Sequence, residues 1–259
     1  MPHPTVPYVL ATPGYLAGGS DRDLLTEWLL RGHGWRNVST IDYHTFLASP
    51  DGRLHVGLDR RGAWTWHLHA NGPTGPVWEA TLGAHLPVEY VTALVESLLR
   101  PDNRHMTDAL GPLHAAGWTA DADDGAPTAV SPDGLVRFTQ EDADSPSPYA
   151  WHAACAVDGY TWWTAAFTAH TPIGLVAALT RSLASPDPLP RMAIGTPMYQ
   201  CGPYTRLSQT DFSYADEQTL LEARITQARQ HRRARPPAGA PPAGTPTPPA
   251  RREHRTRMP

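Results

Sequence analysis

The segment WEATLGAHLP at residues 78–87 returns 85 residues later as WTAAFTAHTP at residues 163–172. When both segments are extended, residues 78–101 and 163–186 share 11 of 24 positions without a gap. A repeat of this length and identity indicates two copies of one structural unit. We therefore expect the fold to be built from two tandem units.

Two shorter markers occur in the same order in each half of the chain. The tetrapeptide SPDG stands at residues 49–52 and again at 131–134. Its proline presets φ, its aspartate accepts bonds from the local backbone, and its glycine takes a left-handed conformation. Each copy should therefore contain a tight hairpin turn at this point. Upstream, the dipeptide Gly-Trp at 34–35 and 117–118 fixes the register of an earlier helix.

Hydrophobic periodicity predicts the same element order in both copies. Early helices are expected from Ser20 to Gly32 or Gly34 and over 107–116. Strands are expected at 64–70, 77–82, 149–157 and 160–168, and late helices at 87–99 and 172–184. Pro87 and Pro172 suit helix starts, where a missing N–H costs little. The predicted fold class is α+β, with two tandem α-β-β-β-β-α repeats. We expect the repeats to pack pseudo-symmetrically, sheet to sheet or edge to edge, so that their exposed faces or edges are covered.

The rest of the chain flanks these repeats. The predicted divisions are an N-terminal strand and loop at 1–19, repeats at 20–101 and 102–190, a wrapping segment and helix at 191–231, and a tail at 232–259. The last helix should begin near Ser213 and bury Leu220, Leu221, Ile225 and Ala228. From Arg235 onward, eight prolines occur among small and basic residues, so the tail is expected to be disordered.

Charge is distributed unevenly along the chain. Residues 1–229 hold 14 arginines and 24 acidic residues, which gives −10, whereas residues 230–259 hold seven arginines and one glutamate, which gives +6. An acidic body argues against broad phosphate-backbone binding by the folded part. No apolar run approaches the roughly 18 residues of a transmembrane helix, and no secretory signal is visible. With only two cysteines, a disulfide framework is not expected. We therefore expect a cytoplasmic protein with no membrane contact.

The tandem unit resembles the streptomycete SPDY family, also called domain of unknown function 317. The segments that carry the resemblance are 15–19, 34–35, 49–52, 66–67 and 78–101, with second-copy equivalents at 117–118, 131–134, 151–152 and 163–186. Two copies per chain is the usual arrangement in that family. The resemblance implies an actinobacterial, cytosolic protein, and it brings no catalytic residues.

Histidines are the first candidates for chemistry. His67 and His69 project from one face of a predicted strand, as two metal ligands would, but the second copy has His152 and then Ala154. We therefore expect no metal site and no cofactor. His85 and His170 do repeat, and they are expected to cap a helix or bond a loop carbonyl. Of the cysteines, Cys155 is expected in the core, and Cys201 in a loop.

Tryptophans admit two interpretations. The equivalent residues of the two copies, such as Trp66 and Trp151, suit packing in the core, whereas a face that holds Trp64 beside Trp66 could stack bases or clamp a peptide. The candidate binding surface comprises Trp64, Trp66, His67, His69, Trp151, His152, Trp162, Arg232, Arg233 and Arg235.

Three functions remain open at this point. The first is a non-enzymatic binding or scaffolding protein with an unknown protein partner. The second is nucleic-acid binding through the arginine-rich tail and the sheet tryptophans. The third, with the least support, is an enzyme that uses His85 or His170, because no partner nucleophile is recognisable. No catalytic residue is assigned, and the oligomeric state is left open.

Overall fold

The fold consists of two antiparallel sheets and five helices in the described part of the chain. A computed structural model describes residues 7–19, 22–40, 44–59, 65–83, 85–100, 108–120, 126–142, 144–193 and 204–234. The larger sheet has ten strands and the smaller has three. The predicted α+β class is confirmed.

The first copy begins with a helix and ends with one. Its elements are α1 (Asp23–Glu27), which continues as a π-helix (Trp28–His33), β2 (Arg36–Asn37), β3 (His44–Ala48), β4 (Leu54–Asp59), β5 (Thr65–Gly72), β6 (Gly75–Gly83) and α2 (Val88–Leu99). Gly34 ends the first helix with φ of 71°, a left-handed value that a side chain would strain. The helix thus ends at the expected Gly-Trp pair.

The second copy repeats this order. Its elements are α3 (Gly111–Ala115), β7 (Thr119–Ala120), β8 (Thr128–Val130), β9 (Val136–Gln140), β10 (Tyr149–Val157), β11 (Tyr160–Thr168) and α4 (Ile173–Ala184). Each copy therefore contributes five strands, not the four that hydrophobic alternation indicates. The additional strands, β2 and β7, have two residues each and are too short to show a period of two.

Strand order joins the copies into one sheet. The order is β2-β3-β4-β5-β6-β11-β10-β9-β8-β7, so the last strand of each copy lies at the centre. Across this joint Thr81 lies opposite Ala166, Ala80 opposite Phe167, and Leu82 opposite Ala165. Pairing along this edge satisfies the backbone groups that each copy alone would leave open.

One face of the large sheet packs into the core. Alternate residues of the central strands are buried there, and they join the inner faces of α2 and α4 in one hydrophobic cluster. Five tryptophans expected to pack are buried, namely Trp35, Trp66, Trp78, Trp118 and Trp163. Cys155 is also buried, as predicted, whereas Cys201 lies outside the described residues.

The two SPDG turns adopt the same hydrogen bonding. In the first, the Ser49 hydroxyl donates to Asp51 Oδ1 at 2.6 Å and accepts from the Leu54 N–H at 2.9 Å. The bond from Ser49 holds the pKa of Asp51 below its usual range. In the second turn, Ser131 bonds Asp133 at 2.6 Å in the same way. The second turn has one more partner, because the Tyr15 hydroxyl donates to Asp133 Oδ2 at 2.5 Å.

The segments outside the repeats form the smaller sheet and a long helix. Strand β1 (Tyr8–Thr12) lies between β12 (Leu189–Met192) and β13 (Arg206–Gln209). Arg191, in β12, is buried and pairs with Glu89 of α2 at 2.7 Å. Helix α5 (Tyr214–Ala234) buries Leu221, Ile225 and Ala228, while Leu220 is 57% exposed and so lies outside the apolar stripe expected for it. Residues 235–259 lie outside the described residues.

Among the residues that the structure describes, no helix combines the length and the apolar character needed to cross a membrane.

The extra partner of Asp133 leads to a stability prediction. Asp51→Ala and Asp133→Ala both remove the bonds of one turn, but only Asp133→Ala leaves the buried Tyr15 hydroxyl without its acceptor. Asp133→Ala should therefore lower the free energy of unfolding by about 1–2 kcal/mol more than Asp51→Ala. Urea denaturation measures the loss of stability in each variant. In a Tyr15→Phe background the two losses should be nearly equal. If Asp133→Ala still costs more than Asp51→Ala by the same amount in that background, the role given to Tyr15 is contradicted.

Candidate binding face of the sheet

The two faces of the large sheet differ in burial. In β5, Trp66 and Leu68 are 2% and 0% exposed, whereas the alternating His67 and His69 are only half-buried. We call the second side the open face. It is defined by His55, His67, His69, Glu79, Thr81, His152, Thr164 and Ala166. Seven of these side chains are half-buried or exposed, and Ala166 is 8% exposed, although the core lies on the other side.

A row of four residues crosses the middle of the open face. Strand pairing places His67 opposite Thr81, Thr81 opposite Ala166, and Ala166 opposite His152. His67 and His152 are equivalent positions of the two copies. Three strand spacings separate them, or roughly 14 Å. The centre of the face thus consists of two small residues between two imidazoles.

The first copy adds an imidazole cluster beside this row. The rings of His55 and His69 stack with centroids 4.7 Å apart and planes 10° from parallel. His67 Nδ1 lies 3.5 Å from Glu79 Oε1, and Asn71 Nδ2 lies 3.3 Å from His55 Nδ1. Among the described residues, no group of three histidine, cysteine, aspartate or glutamate side chains is arranged to hold a metal ion.

Burial sets the protonation of this cluster. Desolvation lowers the pKa of His69, and the neighbouring His55 acts in the same direction, while Glu79 opposes it. His69 is therefore neutral at neutral pH. The cluster then presents ring nitrogens for hydrogen bonding without adding positive charge from His69.

The second copy has different residues at the matching positions. The turn and strand registers place Arg137 where the first copy has His55, Ala154 where it has His69, and Thr164 where it has Glu79. The fold keeps both positions equivalent, but only the first copy retains the cluster. This divergence marks the first-copy half of the open face as chemically distinct.

Tryptophans lie apart from these histidines. Trp66 belongs to the core face, and Trp151, which is half-buried, approaches Phe138 at 6.2 Å on that same side. Trp64 falls outside the described residues. Of the two interpretations of the tryptophans, the structure therefore supports core packing for Trp66.

Trp162 contacts the other copy. Its ring stacks on His85, with centroids 4.3 Å apart and planes 11° from parallel, and its Nε1 is buried without a hydrogen-bond partner. Burial lowers the pKa of His85. Helix α2 has no side-chain cap, so His85 does not provide the capping expected for it. His170, its equivalent, is exposed, and the first copy has Val77 at the position of Trp162.

The predicted arginines belong to the end of α5. The Arg232 guanidinium packs directly against Gly34 and occupies the space that a Cβ atom at this position would need. Arg233 is exposed, and Arg235 falls outside the described residues. The described contacts thus place Arg232 beside the first helix and not among the sheet histidines.

Sequence reasoning missed His55, Glu79, Thr81, Thr164 and Ala166. The alternation along the predicted strand at 77–82 was sufficient to place Glu79 and Thr81 on the face opposite Trp78. His55 and the partners across the joint require the pairing register, which no single strand encodes.

These features define a tandem-repeat α+β protein in which two copies of one unit complete a shared sheet. A family model for SPDY, a domain of unknown function (DUF317), matches residues 48–103 and 130–189. One matched segment falls in each copy of the repeat, so both copies are similar to this domain. Comparison with curated proteins and with solved structures gives no match.

The lowered pKa of His69 leads to a pH prediction. Its folded pKa lies below the unfolded value of about 6.5, so the unfolded chain takes up the proton first as pH falls. The free energy of unfolding should therefore fall between about pH 7.5 and 5.5, and His69→Gln should flatten this fall. His33 and His85 also have lowered pKa values, so part of the slope remains. Urea denaturation across this range is the measurement, and parallel curves for the wild type and the variant would contradict the assignment.

Proposed function

We propose that this chain is a non-enzymatic binding protein that presents the open face to a protein partner. The observation that carries the proposal is the central row, in which Thr81 and Ala166 lie between His67 and His152. Because both central side chains are small, no bulky group projects from the middle of the face to hold a complementary surface away. Imidazoles at both sides can donate or accept hydrogen bonds at the margin.

The size of the face suits a protein partner. Ten strands at about 4.8 Å spacing span roughly 43 Å, and five-residue strands extend about 17 Å. The resulting area of about 700 Å² is close to the roughly 800 Å² that each partner contributes to a standard interface. A surface of this extent favours a macromolecule over a small ligand.

Charge favours protein over nucleic acid on this face. Phosphate binding requires cationic side chains. The first-copy half of the open face instead carries the Glu79 carboxylate and a neutral His69, while the Arg137 guanidinium belongs to the second-copy half. The sheet tryptophan Trp66, which could have stacked a base, lies on the opposite face.

We further propose that an approximate two-fold axis relates the copies and passes between Thr81 and Ala166. The register supports this arrangement, because Ala80 pairs with Phe167 while Leu82, the equivalent of Phe167, pairs with Ala165, the equivalent of Ala80. Reciprocal pairing of this kind is the mark of an isologous contact. Thr81 and Ala166 are then equivalent and directly opposed.

Exchanging these two residues tests the axis. If each occupies the same environment, Thr81→Ala and Ala166→Thr together should change the free energy of unfolding by less than about 0.5 kcal/mol. The single variants should show opposite and nearly cancelling effects. If both single variants lower the free energy of unfolding, and the double variant lowers it by the sum of the two losses, the two-fold relation is contradicted. Urea denaturation supplies all three values.

The binding proposal is tested by adding bulk and charge to the face. Thr164 is exposed on the open face, and Thr219 is exposed on α5, so Thr164→Arg has a matched control in Thr219→Arg. Each variant is used to capture proteins from an actinobacterial lysate, with quantification by mass spectrometry. We expect at least one protein held by the wild type and by Thr219→Arg to fall about tenfold with Thr164→Arg.

Two outcomes would overturn the proposal. The first is an identical set of captured proteins for both variants. The second is loss of capture after nuclease treatment, which would support the nucleic-acid alternative.

A further inference from the structure

A cavity of about 530 Å³ lies between the π-helix, the end of α2 and α5. Small-molecule sites usually measure about 300–1,000 Å³. Its walls are formed by Trp28, His33, Glu96, Leu99, Arg100, Arg224, Gln227, Ala228 and His231. We call it the helix cavity. It belongs to the helix layer and does not include any residue that defines the open face.

The helix cavity combines positive charge with apolar wall. Arg224 donates to Glu96 Oε1 at 2.5 Å, and its guanidinium lies 4.8 Å from the centroid of the buried Trp28 ring. Arg100 lies 3.8 Å from the other oxygen of Glu96. Two arginines against one carboxylate leave a net charge of +1 before His231 is counted. Leu99 and Ala228 supply the apolar part.

His33 adds a polar atom without a partner. Its ring contacts the Trp28 ring edge-on, with ring centroids 4.6 Å apart. Its Nε2 is buried and has no hydrogen-bond partner. Burial and the neighbouring Arg232 lower the pKa of His33, so the ring is neutral at neutral pH. Most buried polar atoms in proteins have a hydrogen-bond partner, so an unpaired ring nitrogen in a cavity wall is consistent with a ligand that supplies one.

Comparison of the two copies shows that this chemistry is confined to the first. The repeat alignment gives the second-copy position equivalent to each wall residue of the first copy. Three of these positions hold glycine or alanine. Arg181 stands at the position of Glu96, and Ser185 at the position of Arg100. The three reduced positions are Gly111 for Trp28, Ala116 for His33 and Ala184 for Leu99. The remaining wall comes from α5, which follows both repeats. A π-helical turn, which often marks a functional site, supplies Trp28 and His33.

We propose that the helix cavity binds a small organic anion. Arg100 and Arg224 hold its acidic group, with His231 beside them, and Leu99 and Ala228 contact its apolar body. The pairing of Glu96 with Arg224 orients that guanidinium before the ligand arrives. The site depends on the docking of α5 on the first copy, where Ala228 approaches the backbone at Gly32.

The probe for this site is 8-anilinonaphthalene-1-sulfonate, an aromatic anion whose fluorescence rises on binding. Its uncharged counterpart is N-phenyl-1-naphthylamine. Full-length protein should bind the sulfonate saturably with one-to-one stoichiometry. It should bind the amine more weakly, because the amine lacks the acidic group.

Two variants test the location and the charge. Gln227 is an exposed wall residue, so Gln227→Trp fills the cavity without disturbing the core and should abolish binding of both probes. Arg100→Ser with His231→Ser removes an exposed guanidinium and an exposed imidazole and should weaken sulfonate binding about fivefold, with amine binding unchanged. Arg206→Ser, on an exposed strand, is the matched control and should bind both probes like the wild type.

The outcomes separate clearly. Unchanged sulfonate binding in Gln227→Trp places the probe elsewhere and overturns the proposal, as does the absence of saturable binding by the wild type. Equal losses for both probes in the double serine variant overturn the charge assignment. Circular dichroism of each variant confirms that the fold is retained. Since Thr164→Arg alters only the open face, it should leave probe binding intact whatever its effect on partner capture.

Discussion

The antiparallel pairing of β6 with β11 is the contact on which the other features depend. It closes the inner edge of each five-stranded half, where unpaired N–H and C=O groups would otherwise attract another chain. It brings α2 against α4, so that both copies share one hydrophobic cluster. It also forms the centre of the open face, because Thr81 and Ala166 meet only through this pairing. Without it, each copy alone would bury so little apolar surface that its fold would be only marginally stable.

Local chemistry made much of this fold predictable. The SPDG turns, the strands at 149–157 and 160–168, and the late helices to Leu99 and Ala184 follow from side-chain patterns within a few residues. The strand alternation also separates Trp66 from His67, which decides which face holds each. The rest depends on pairing between distant segments. The stack of His55 on His69 requires the register of β4 on β5, and the helix cavity requires α5 to dock on the first copy.

The two copies keep the same fold but have diverged in chemistry. Turn residues and apolar packing positions recur, since a change there would damage either unit. Other positions differ, and the first copy has His55, His69 and Glu79 on its sheet and Trp28 with His33 on its helix side. The second copy has Arg137, Ala154 and Thr164 at the sheet positions, and Gly111 and Ala116 at the helix positions. The two units thus share one fold, while the histidine cluster and the Trp28–His33 contact belong to the first alone.

The smaller sheet affects how the chain is made. Strand β1 precedes both repeats, whereas its two sheet neighbours follow them, and Ala11 pairs with Leu189 and Leu207. Arg191 then fixes this region through Glu89 and the backbone carbonyls of Ala17 and Gly18. During translation, β1 therefore stays without its sheet partners until β12 and β13 have left the ribosome. A chain interrupted after α4 would expose a strand with two open edges.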